Sequence, residues 1–179
     1  MDIAHTDALI VVDVQQDFCP GGALAVAGAD AIIPVINRLS PHFAHVVFTR
    51  DWHPEHHCSF VETPQFVDKS WPPHCIAGTP GAALHPDLIV SECALVVDTG
   101  QDPAHEAYSG FDGTDLATIL DARGVKRVFI CGLATDYCVR ATALDALKAR
   151  FQVVLLTDAC RGVDVPAGNA DAALEEMKE

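Results

Sequence analysis

Three stretches of this sequence concentrate side chains able to do chemistry. In Gly132-Leu133-Ala134-Thr135-Asp136-Tyr137-Cys138-Val139-Arg140, a cysteine stands where the apolar run Arg127-Val128-Phe129-Ile130-Cys131 hands over to a helix reaching about Lys148. Such a run suits a buried parallel strand. Free N–H groups and the positive end of a helix dipole can lower a thiol's pKa and cradle an oxyanion, which is what a cysteine nucleophile needs. A small apolar core cysteine is the alternative for Cys138. Asp13 ends the β-branched run Ala8-Leu9-Ile10-Val11-Val12, at the carboxyl end of a strand, where open α/β sheets place ligands. Capping the following turn is its other natural role. The third stretch, Arg50-Asp51-Trp52-His53-Pro54-Glu55-His56-His57-Cys58, is dense in metal-capable groups. In extended chain Asp51 and His53 point to the same side and can converge on one cation. His74, in Ser70-Trp71-Pro72-Pro73-His74-Cys75, can add a third ligand. Three N/O ligands with open positions describe a catalytic or substrate-orienting metal better than a closed structural one. A solvated polar loop is the alternative.

These side chains must be positioned by strands and helices in alternation. Strands are predicted at 8–12, 45–49, 94–97, 127–131 and 152–156, and helical segments at 29–39, 114–123, 138–148 and 170–178. Alternating β and α segments imply right-handed crossovers and a parallel sheet covered on both faces. The segment 63–86, rich in Pro, Gly and His, reads as a long loop, and loops of that length in a compact domain are usually functional. Phe18 and Trp71 fall in loops beside the polar clusters, where they can wall a flat pocket or pack locally. No GxGxxG follows the first strand, which argues against a dinucleotide module.

The whole chain narrows the possible partners. At 179 residues it is long enough for one domain with a full core. Its formal charge of -14, with 11 scattered Lys and Arg, repels phosphate backbones and anionic lipid, so neither nucleic acid nor membrane is an expected partner. The opening MDIAHTDALIVVDV is too short in apolar residues for a signal peptide or a span, and a cytoplasmic location is expected. Seven cysteines without a CxxC pair indicate neither a disulfide framework nor a zinc ribbon.

Taken together, VVDVQQDF with PGGALAV, DWHPEHHCSF, SWPPHC with IAGTPGA and HPDL, AYSGF, GLATDYCVRATALDA and DACRGV closely resemble the nicotinamidase/pyrazinamidase branch of the isochorismatase-like cysteine hydrolases. The likeness runs from Ala8 to about Met177. Related branches lack the Asp-x-His plus WPxHC pair. The resemblance implies one domain over residues 1–179, folded as a three-layer α/β/α sandwich around a mostly parallel five- or six-stranded sheet. It implies a metal-containing amidohydrolase that converts nicotinamide, and pyrazinamide, to the acid and ammonia. Cys138 is then the nucleophile, Asp13 the acid/base, and Ala134 and Cys138 the oxyanion hole, with a cis peptide at Leu133-Ala134. Asp51, His53 and His74 become ligands of one divalent cation, zinc ahead of iron or manganese, with His57 a further contributor. Phe18, Trp71, Tyr108, Leu133 and Ala134 become substrate contacts.

Two positions depart from the resemblance. Family members carry Lys-Gly a few residues ahead of AYSGF, completing an Asp-Lys-Cys triad, and this chain has Thr99-Gly100. A carboxylate and an incipient thiolate repel by about 4 kcal/mol at roughly 4 Å and an effective dielectric of about 20, and an ammonium offsets this. Impaired turnover is therefore expected, with a neutral resting thiol. The nearest lysine in sequence is Lys69. Relatives also continue past the last helix into a further strand, whereas this sequence ends at Glu179, so one sheet edge is expected to be less covered. Two other readings stay open: a catalytically silent relative that binds metal and pyridine ligands, and another cysteine amidohydrolase of the superfamily. Monomer and homo-oligomer are equally compatible with the sequence.

Overall fold

The computed structural model describes residues 2–178. Five strands, β1 (Asp7–Val12), β2 (His45–Asp51), β3 (Leu95–Thr99), β4 (Arg127–Leu133) and β5 (Gln152–Arg161), form one sheet in the order β3-β2-β1-β4-β5. Every pairing is parallel. The helices α1 (Ile33–Leu39), α2 (Leu116–Ala122), α3 (Arg140–Lys148) and α4 (Asn169–Glu176) complete a three-layer α/β/α arrangement. β1 reads Asp-Ala-Leu-Ile-Val-Val and is buried at every position, as a central parallel strand covered on both faces must be. Leu9, Ile10, Phe48, Ile130 and Leu133 are among its largest fully buried neighbours and members.

The order of the strands decides where chemistry can happen. From β1 the chain steps outward to β2 and β3, then crosses back to lay β4 on the other side of β1. Loops leaving β1 and β4 therefore part in opposite directions and leave a crevice at their carboxyl ends. Asp13 follows β1, Asp51 ends β2, Thr99 ends β3, and Ala134 follows β4, so all four come to that rim. Gly132, paired with Val12, lets β4 approach closely: a Cβ there would overlap the Val12 carbonyl.

Some boundaries differ from those read in the sequence. The first turn of the expected 29–39 helix is a 3₁₀ turn, Ala29–Ile32, and α1 proper begins beside Pro34. The expected helix at Cys138 opens as a π-helical turn, Thr135–Val139, in which the Val139 N–H reaches the Ala134 carbonyl at 3.1 Å. Such turns widen a helix start and often mark functional positions. β5 continues to Arg161, after a register shift opposite Ile130 and Gly132, so Asp158-Ala159-Cys160-Arg161 is strand. The Leu133-Ala134 peptide is cis, as is Val165-Pro166.

At the opposite end of the sheet Asp7 and Arg127 pair in register across β1 and β4. Arg127 Nε and Nη2 donate to the two carboxylate oxygens at 3.0 and 2.6 Å, and Ala4 N–H adds a bond of 2.7 Å. The guanidinium bond holds the Asp7 carboxyl below its ordinary 3.8, against the opposing effect of burial. A depressed folded-state pKa contributes stability above the unfolded value that is lost as pH falls through the folded one. Asp7→Asn should therefore lower Tm at pH 7 by roughly 4 to 8 °C, corresponding to about 2 kcal/mol, with the gap to wild type closing as pH drops below 3.8. Thermal unfolding across a pH series checks this.

Candidate active site

Asp51 is held by its backbone before its carboxylate does anything. The buried Gln15 amide donates to the carbonyls of Asp51 and Ala82 at 2.8 and 2.9 Å and accepts the Asp51 N–H at 2.8 Å. The carboxylate Oδ2 then lies 3.4 Å from His53 Nε2 and 3.8 Å from His74 Nε2. Each imidazole is fixed from behind: His53 Nδ1–H donates to the Gly100 carbonyl at 2.9 Å, and His74 Nδ1–H to the Pro72 carbonyl at 2.8 Å. These bonds select the tautomer that turns Nε2 inward. At Gly100, with φ of +63°, a Cβ would lie against the His53 ring, so only glycine brings that carbonyl so near. Asp17 secures the other side, its Oδ2 accepting Cys75 N–H at 2.7 Å.

One ligand atom from each of Asp51, His53 and His74 lies within 4.8 Å of the others, and all three residues are buried. Burial alone would raise the Asp51 carboxyl, but hydrogen bonds from His53 and His74 bring it well below the carboxylate range. Burial likewise opposes charge on His53, and the Asp51 carboxylate together with the Gly100 carbonyl still holds it up to about 9. The cluster thus favours positive charge strongly. One carboxylate and two oriented imidazoles make a donor set fitted to zinc, iron or manganese. His57 is placed differently. Its ring stacks on His53 with centroids 4.3 Å apart, its Nδ1 meets Ser59 Oγ at 2.7 Å, and its Nε2 meets the His105 carbonyl at 3.1 Å. Both nitrogens are engaged elsewhere, so the structure does not bring His57 into the converging set.

The second cluster shares Asp51. Ligand atoms of Asp13, Asp51 and Cys138 lie within 4.8 Å of one another, all buried. Asp13 takes φ of +50°, a left-handed conformation Asp tolerates better than most residues, and accepts the Thr49 hydroxyl at 2.6 Å. Burial, reinforced by the Asp51 charge, raises the Asp13 carboxyl well above the usual range. Burial also raises the Cys138 thiol, with Asp13 and Asp51 adding to the effect. Thr99 pairs with Asp51 across β2 and β3, and its hydroxyl lies 3.3 Å from Asp51 Oδ1. The position read as the family's lysine thus faces this cluster, and carries no charge. Lys69 Nζ stands 5.9 Å over the Tyr108 ring, on the outer side.

The first cluster opens on a cleft, and the second joins it through Cys138 and the shared Asp51. Phe18, Trp71, Tyr108 and Ala134 line it with Cys138 and the Asp51–His53–His74 group. Trp71 Nε1 donates to the Tyr108 hydroxyl at 3.0 Å, and Phe18 lies 5.5 Å from the His74 ring. Leu133 is different: its side chain is fully buried in the core, below the cleft. Several residues escaped the sequence reading. Tyr137 and Glu106 also line the cleft, and Tyr137 meets Trp71 edge-on at 4.9 Å. Asp136 accepts N–H groups of Val163 and Asp164 at 2.9 and 2.8 Å and the Asn169 amide at 3.1 Å, tying the loop after β5 to the π turn. Gln15 and Asp17 lie in the VQQDF box, but which polar side chains of that box turn inward has no sequence signal.

Comparison with known proteins follows the same lines. Residues 7–179 match the Isochorismatase domain family. The chain belongs to the isochorismatase family. It is 44% identical to the nicotinamidase/pyrazinamidase of Mycobacterium tuberculosis, over 96% of this chain and 94% of that one. The crystal structure of the pyrazinamidase of Pyrococcus horikoshii in complex with zinc superposes with a TM-score of 0.87 at 51% identity, covering 97% of this chain and 94% of its own. PnC1 from L. infantum in complex with nicotinate gives a TM-score of 0.90 at 41% identity, covering 99% and 91%. Within the family the chain is an amidohydrolase of the nicotinamidase/pyrazinamidase branch. No helix among the described residues is long and apolar enough to cross a membrane.

Gln15→Ala removes both bonds that seat Asp51 and the one to the Ala82 carbonyl, and leaves the Asp51 N–H without that partner. A loss of about 2 to 4 kcal/mol is expected, read by denaturant unfolding.

Proposed function

We propose that this protein hydrolyses nicotinamide, and pyrazinamide, to the acid and ammonia through a thioester on Cys138. The observation that carries this reading is that Cys138 and the Asp51–His53–His74 group open on one aromatic-walled cleft, with Asp13 buried against Cys138 and Asp51. The zinc of the P. horikoshii structure and the nicotinate of the L. infantum structure support the same assignment.

The raised Asp13 carboxyl suits a group that must both take and return a proton. In the resting protein burial keeps the Cys138 thiol neutral. As the sulfur attacks the carboxamide carbon, Asp13 accepts the thiol proton. The carbonyl π pair becomes an oxyanion, received by the backbone N–H groups of Ala134 and Cys138. Asp13 passes its proton to the amide nitrogen, the C–N bond breaks, and ammonia leaves a thioester behind. Water then attacks that carbon with Asp13 as base. The C–S bond breaks, and the proton returns to sulfur as the acid departs. Phe18, Trp71 and Tyr108 hold the ring so that the amide arm meets the sulfur. Asp51, His53 and His74 would hold a divalent cation, zinc, iron or manganese, which when bound supplies a Lewis-acidic anchor for the ring nitrogen.

Thr99 sets the rate in this proposal. Asp13, Asp51 and Cys138 crowd together, and Thr99 offers a hydroxyl where an ammonium would offset their repulsion. Turnover is depressed by about 10² to 10⁴-fold as a result, the usual scale of one such contribution.

Ammonia release from nicotinamide by the zinc-loaded protein tests the reaction. Slow release is expected from wild type and none above background from Cys138→Ala; release unchanged by Cys138→Ala would overturn the nucleophile. Thr99→Lys should raise kcat by about 10² to 10⁴-fold. A folded Thr99→Lys protein no faster than wild type would end this account of the position.

A further inference from the structure

We infer that Glu106 is the fourth protein group of the cation site, acting in the place the resemblance gives to His57. The inference rests on the cation reading of Asp51, His53 and His74 proposed above.

Two observations point to it from opposite directions. The first concerns His57. A ligand histidine needs one nitrogen free for the cation, and His57 has none to offer, with Nδ1 on Ser59 Oγ at 2.7 Å and Nε2 on the His105 carbonyl at 3.1 Å. Ser59 N–H also approaches Nδ1, at 3.4 Å. The ring packs against His53 instead, its plane tilted by 34° from that of His53. The second concerns Glu106, the residue after the carbonyl that holds His57. Its side chain lines the cleft beside Asp51, His53 and His74, yet its Oε2 is buried and has no hydrogen-bond partner. A carboxylate oxygen withdrawn from water without a donor costs several kcal/mol in most settings, and such orphans are rare outside sites that bind something. Trp71, in the same cleft wall, spends its one donor on the Tyr108 hydroxyl.

A cation at the Asp51–His53–His74 group resolves this. Glu106 belongs to neither set of ligand atoms packed within 4.8 Å, so it faces the cation across a water of the hydration shell, which donates to Oε2. Its role is to hold that water and add a second negative charge to the single one of Asp51. Outer groups of this kind are worth about 10- to 100-fold in metal affinity.

Zinc affinity of the full-length protein, measured by competition with a chromogenic chelator, decides the matter without recourse to turnover. Glu106→Gln keeps shape and removes charge, and should weaken zinc binding by about 10- to 100-fold. His57→Gln should change it by less than about threefold, and thermal unfolding of both metal-free variants checks that they fold. Zinc binding by Glu106→Gln equal to wild type overturns the inference, as does a tenfold or greater loss in His57→Gln. If wild type itself takes up no zinc, the cation reading fails first, and that result is distinct from either of the others.

Discussion

Two carboxylates and a thiol, those of Asp13, Asp51 and Cys138, are buried within 4.8 Å of one another, and everything around them answers to that crowding. Negative charge in such a place is unfavourable unless protons or cations accompany it. On the Asp51 side the answer is two imidazoles, and His53 is held up to about 9 despite burial. On the Asp13 side burial raises both the Asp13 carboxyl and the Cys138 thiol, so the pair holds a proton between them. The two carboxylates are thereby shifted in opposite directions although they are neighbours. Under the proposed reaction that difference is useful: one carboxyl exchanges a proton with sulfur, and the other stays anionic toward a cation.

The scaffold keeps this arrangement because almost none of it hangs on mobile chain. Asp51 belongs to β2 and is seated through its backbone by Gln15; Asp13 follows the central strand directly, and Cys138 lies in the single π-helical turn after β4. Gly132 and Gly100 mark the two places where backbone must come closer than any side chain allows, one against Val12 and one against His53. The long segment 63–86 is ordered at its functional points by bonds to other elements, Trp71 through Tyr108 and Cys75 through Asp17. Asp136 does the same for the loop beyond β5.

Much of this was legible in advance. The five apolar runs became the five strands, because a buried parallel strand needs an unbroken β-branched stretch whatever surrounds it. DWH and PPHC announced a cation-friendly cluster, since side chains two apart on a strand share a face. Other features were not legible. β5 extends well past its apolar run, since after the register shift Cys160 and Arg161 pair with Gly132 and Leu133 and Ala159 and Cys160 are buried. The helix at Cys138 begins with a wider turn than its sequence suggests. Leu133, a substrate contact on the resemblance, is core, because it still belongs to a strand buried on both faces, while the next residue lies past the strand end and meets the cleft.

By itself the sequence determined the fold class, the family, and which residue types would meet at the carboxyl ends of the strands, because those follow from local periodicity and from motifs whose order survives any detail of packing. Only the tertiary structure decided how His57 spends its nitrogens, which residue stands beside the cluster with an unsatisfied oxygen, and that Thr99 turns its hydroxyl toward Asp51. Those facts depend on rotamers and on hydrogen-bond partners as much as 48 residues apart in the chain. No local pattern encodes them, since each side chain's partner is chosen by what the rest of the fold brings within about 3 Å of it.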